Sequence, residues 1–106
     1  MRLRDIAYAR SGDKGDTVNI CVFPYNDGHY DHLRRQVTAE RVREHFRDLV
    51  RGPVTRYEVP ALCGLNFVLE QALDGGVAMS LRIDPHGKAF GSQLLDLEIE
   101  APGADT

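Results

Sequence analysis

The order of apolar and polar positions divides this chain into short strands and amphipathic helices. Leu3, Ala7 and Ala9 alternate with Arg4, Tyr8 and Arg10, which predicts a first strand over Leu3 to Ala9. Thr17 to Phe23 alternates more regularly: Val18, Ile20 and Val22 share one face, and Thr17, Asn19, Cys21 and Phe23 share the other. Asparagine is disfavoured inside a strand, so Asn19 must meet solvent or have a specific hydrogen-bonding job. Pro24 to Gly28 reads as a turn, followed by a short helix from His29 to about Gln36. Thr38 is an N-cap for a second helix reaching about Leu49, whose Val42, Phe46, Leu49 and Val50 form an amphipathic stripe.

Gly52-Pro53 ends that helix, and Val54 to Val59 reads as a strand limited by Pro60 at an edge or terminal position. Asn66 then reads as the cap of an apolar helix through Leu73, one that should be deeply buried or covered by a partner. Val77 to Ile83 is expected as a strand, Asp84 to Lys88 as a turn and Leu94 to Ile99 as the last strand. Helices mixed with strands in so short a chain predict an α+β, ferredoxin-like sandwich. Its sheet is mainly antiparallel, with helices on one face and an extra N-terminal strand.

Length adds that 106 residues make one domain, read as residues 1–100 with a fraying tail over 101–106. The net charge of −3 argues against a general nucleic-acid binder, which is usually basic. No apolar run approaches the roughly 20 residues that span a bilayer, and Met1 to Asp5 lacks a signal peptide's apolar segment. A cytoplasmic location without membrane attachment is the expectation. Cys21 and Cys63 lie far apart without metal-ligand spacing and read as free, buried structural thiols. The histidines show no metal spacing either, and no motif names a cofactor.

Candidate chemistry concentrates in Arg10-Ser11-Gly12-Asp13-Lys14-Gly15-Asp16, between the first two predicted strands. Glycines there can expose backbone N–H groups to an anion, while the carboxylates could hold a cation or move a proton. A solvated hairpin loop explains the same composition. No phosphate loop is present, because the longer glycine spacing and the following helix are missing. Asp13, Lys14 and Asp16 are the candidate catalytic groups; Arg10, Ser11, Gly12, Gly15 and Asn19 are candidate ligand contacts. Asn66, Ser80 and Arg82 are further ligand candidates, competing with a helix cap for Asn66 and a surface ion pair for Arg82.

The run Ile6 to Asp16 followed by Asn19-Ile20 resembles the opening of the AtuA-like ferredoxin-fold domain family. Tyr57 to Pro60 with Leu65 to Leu69 agrees with it, as do Gly75 to Val77, Ser80 to Asp84, Gly87 to Ala89 and Gly91. The resemblance spans about Leu3 to Ile99. It implies the ferredoxin-like fold and a setting in acyclic terpene utilisation, where branched acids are broken down as coenzyme A thioesters. It further implies a stand-alone version of a domain that usually follows a larger one. The first functional expectation is therefore an accessory subunit, homo-oligomeric or bound to a larger AtuA-type partner, with an acyl-CoA or carboxylate ligand. A small hydratase, lyase or isomerase with its site at Ser11 to Asp16 in an oligomer interface is the alternative. A small-molecule sensor using the same loop is a third.

Overall fold

A computed structural model describes residues 1–72 and 88–102. Four antiparallel strands form an open sheet in the order β1-β2-β4-β3: β1 Ala7–Lys14, β2 Thr17–Pro24, β3 Val54–Val59 and β4 Gly64–Leu69. Helices α1 Tyr30–Gln36, α2 Ala39–His45 and α3 Lys88–Leu94 complete the described secondary structure, with short 3-10 turns at Leu3–Asp5, Asp27–His29 and Pro60–Leu62. This is the α+β, ferredoxin-like arrangement that the pattern predicts.

Period-two alternation decides which side of the sheet is buried. Val18, Ile20 and Val22 of β2 and Leu65, Phe67 and Leu69 of β4 face inward, all with at most 1% exposure. Leu33 of α1, Val42 and the following Phe46, and Phe90 and Leu94 of α3 close over them. Thr38 caps α2 as expected, its hydroxyl oxygen accepting the Arg41 N–H at 3.2 Å. Arg56 of β3 donates to the carbonyl oxygens of Arg34 and Val37, setting a cation where the C-terminal end of α1 leaves acceptors unpaired.

Four sequence-based boundaries need correction. The helix expected from Asn66 to Leu73 is strand β4 instead. Its inward residues recur every second position, and the apolar Val68 on the other face disguises that alternation as an all-round apolar helix. The first strand starts at Ala7 after a 3-10 turn and runs on to Lys14, so most of the expected loop is strand. Helix α2 ends at His45, and Phe46 to Val50 continue as turns that still bury the end of the stripe. The last strand expected over Leu94–Ile99 is replaced by α3 followed by extended chain, with one bridge between Arg2 and Glu98. Leu94 and Leu97 keep their buried role, while Met1 and Leu3 exchange backbone hydrogen bonds with Leu97 and Ile99. The strand expected over Val77–Ile83 lies outside the described residues.

Gly15 and Asp16 turn the chain between β1 and β2, with Lys14 opposite Thr17. Gly15 sits at φ +65°, the left-handed conformation that a two-residue hairpin with glycine first requires. Gly64 serves a different need. The Phe23 ring lies where a side chain would begin, and a Cβ on residue 64 would come within 2.7 Å of it.

Candidate functional site

The face of the sheet turned away from the helices gathers several of the residues singled out above. Register aligns Arg10 with Cys21, Cys21 with Asn66 and Asn66 with Tyr57, making one row across all four strands. The neighbouring row runs Gly12, Asn19, Val68 and Thr55. Residues directly opposite on antiparallel strands share a face at contact distance, so positions remote in sequence meet here.

Two amides and a thiol interlock at the centre of these rows. The Asn19 side-chain N–H donates to Asn66 Oδ1 at 2.7 Å. The Cys21 thiol lies 3.6 Å from both Asn19 Oδ1 and Asn66 Oδ1. With its oxygen engaged from two sides, the Asn66 amide directs its N–H₂ group away from this cluster. Arg10 and Lys14 lie on the same face, whereas the carboxylates of the described strands, Asp13 and Glu58, alternate to the helix side. An otherwise acidic protein thus presents cations, an amide donor and the Tyr57 hydroxyl on one surface, an arrangement that suits a carboxylate or a polarised carbonyl. Beside it, Tyr8 stacks on Phe23 with ring centroids 5.5 Å apart, and Tyr25 tilts against Tyr8 at 5.4 Å, providing an apolar platform.

The remaining candidates are distributed differently. Asp13 and Lys14 project to opposite faces of β1, and Asp16 is in the turn; all three are exposed. Ser11 faces α3, where its hydroxyl oxygen accepts the Gly91 backbone N–H at 3.3 Å. A Cβ on Gly91 would come within 2.8 Å of that oxygen. Ala9, Arg10, Ser11, Gly91, Ser92 and Leu95 line a cleft of about 430 Å³ there. Asn66 is no helix cap, because it lies within a strand. Ser80 and Arg82 lie outside the described residues.

A larger groove of about 620 Å³ runs between α2 and residues 96–98 on the helix side. Its lining includes the ion-pairing side chains Glu44, Arg47, Asp96 and Glu98. Asp96 accepts a hydrogen bond from Arg4, which holds its carboxyl below the ordinary value, aided by the charges of Arg4 and Arg2. Among the described residues, no group of three or more His, Cys, Asp or Glu is placed to hold a metal ion. No described helix is long and apolar enough to cross a membrane.

Sequence reasoning missed Cys21 and Tyr57. Cys21 is only half-buried, as is Cys63, so neither is the fully buried thiol expected. Cys21 shares its alternation with Asn19, the signal that could have drawn it into the site. Tyr57 carried no comparable signal, because its alignment with Asn66 depends on β4 being a strand.

The family model of the AtuA ferredoxin-like domain matches residues 1–100. No curated protein and no solved structure matches the chain.

Proposed function

This chain belongs to the AtuA ferredoxin-like domain family, and on that premise we propose an accessory, ligand-binding role in the breakdown of branched or terpenoid acids carried as coenzyme A thioesters. The open sheet face receives the carboxylate or thioester end of the ligand, and the protein works beside a larger AtuA-type subunit. One observation carries this reading: Arg10, Asn66 and Tyr57 occupy a single cross-strand row on a face whose described strands bear no carboxylate.

The chemistry follows from that row. A guanidinium and an amide offer N–H groups to acyl oxygens, and the Asn19–Asn66 bond fixes which end of the Asn66 amide is presented. The platform of Tyr8, Phe23 and Tyr25 is suited to the branched hydrocarbon. Binding and orientation need nothing more.

Thermal stability measured against short branched acids and their coenzyme A thioesters tests the reading. A ligand at 100 times its Kd stabilises a folded protein by about 2.7 kcal/mol, enough to read as a shift in Tm. The wild type should shift, and Arg10→Ala and Asn66→Ala should both lose most of the response. A shift that survives both substitutions would move the site elsewhere, and no shift with any of these ligands would refute the binding role. Co-purification from the native host tests the partner: recovery of the protein alone under gentle conditions would count against it.

A further inference from the structure

Strand β3 is an outer strand of the described sheet, and its free edge is built to meet a copy of itself. Glu70 donates its N–H to Pro53 O at 3.1 Å, which marks residues 53 and 70 as a hydrogen-bonded couple. Such couples recur at every second residue of an antiparallel ladder. Thr55, Tyr57 and Val59 therefore direct their backbone groups to β4, while Val54, Arg56 and Glu58 direct theirs outward. No hydrogen bond between described residues occupies those outward groups. Proline at positions 53 and 60 bounds the free edge at both ends.

We infer that two copies of this chain pair β3 to β3, antiparallel about a twofold axis through Tyr57. A twofold pairing must bring outward residues opposite outward residues, which leaves few registers. Centring the axis on Arg56 opposes like cations, and centring it on Glu58 opposes like anions; both are unfavourable directly across a ladder. Centring it on Thr55 leaves the charges unmatched. Centring it on Tyr57 sets Arg56 against Glu58 of the partner subunit and Glu58 against Arg56 of the partner subunit. Outward backbone groups then meet outward backbone groups, as parity requires, and among the registers that parity allows the charge pattern selects this one.

Within one chain, Arg56 already lies 3.2 Å from Glu58, so pairing would close a ring of four alternating charges. Tyr57, 52% exposed in the single chain, would sit beside Tyr57 of the partner subunit at the axis. The open faces of the two sheets would join there into one surface. This inference stands independently of the ligand proposed above, since it rests only on the edge.

Sedimentation equilibrium on the full chain should give the mass of two chains. Glu58→Arg, which sets cation against cation, and Glu58→Pro, which removes an outward N–H, should shift it toward one chain with an unchanged far-ultraviolet spectrum. Tyr57→Cys supplies a check within an intact edge. Opposed Cα atoms of a non-hydrogen-bonded antiparallel couple are about 4.5 Å apart, within disulfide range. Mild oxidation should therefore cross-link Tyr57→Cys far more than Thr55→Cys, whose opposite residue would be Val59, or the wild type. A monomer at all concentrations would overturn the inference. So would a dimer in which Tyr57→Cys fails to cross-link, whatever the Glu58 variants do.

Discussion

Replacing Gly64 by alanine tests the packing of the open face at a single point. An ideal Cβ on residue 64 would lie 2.7 Å from Phe23 Cε1 and 2.8 Å from Cδ1, whereas carbons in contact keep about 3.5–4.0 Å. The ring must therefore retreat by about 1 Å, and it is held by its stack on Tyr8. Overpacking of this kind costs about 1–3 kcal/mol. Alanine in a strand returns about 0.5–1 kcal/mol by losing less backbone freedom on folding than glycine does. The expected net loss for Gly64→Ala is about 1–2 kcal/mol, a fall in Tm of roughly 4–16 °C for a domain of this size. In a Phe23→Ala background the collision is gone, and the same substitution should stabilise by about 0.5 kcal/mol. Urea denaturation of the wild type, both single variants and the double variant gives the coupling, expected at about 2 kcal/mol. A neutral Gly64→Ala in the wild type, or an equal effect in both backgrounds, would refute the argument.

Asn66→Ala removes the acceptor shared by Asn19 and the Cys21 thiol, and should cost about 1 kcal/mol in urea denaturation because both groups are only half-buried; a neutral result would mean that solvent replaces Asn66 without penalty. Tyr30 has a buried hydroxyl for which no described group is a partner, and burial first, then the charge of Glu58, raises its pKa above the ordinary tyrosine value. That raised pKa makes the folded state lose stability as pH climbs past the unfolded tyrosine value near 10. Tyr30→Phe should remove that alkaline loss and be neutral or stabilising at pH 7, as thermal melts from pH 7 to 11 would show. Asp96 behaves in the opposite sense: its carboxyl is depressed chiefly by the Arg4 hydrogen bond, so its contribution is present above the unfolded carboxylate value and fades as pH falls through the folded one. Arg4→Gln should flatten the stability profile below about pH 4, measured by urea midpoints across the acid range.

Much of the helix side was legible in the sequence because burial there follows periods that local composition displays. The alternation of Val18, Ile20 and Val22, the Thr38 cap and the buried positions Val42, Phe46 and Val50 are all found in the structure. Leu65 to Leu69 was legible only in part. Leu65, Phe67 and Leu69 satisfy a strand period, but Val68 between them is also apolar, and propensity alone does not separate the two readings. Pairing with β2 and β3 settles it as a strand.

The candidate site shows the same division. Residue type alone picked out Arg10, Asn19 and Asn66, because a basic residue beside glycines and amides inside apolar runs ask for partners. Local pattern also predicted a hairpin near Gly15, and the family resemblance was carried by particular residues in order. Only the tertiary structure decided that Arg10, Cys21, Asn66 and Tyr57 share one row, while Asp13 and Lys14 part to opposite faces. The reason is that a strand's alternation fixes which side a residue faces, but not which strand lies beside it or in what register. Those are set by long-range backbone pairing and by closure of the helices over the core, and no window of the sequence contains both partners.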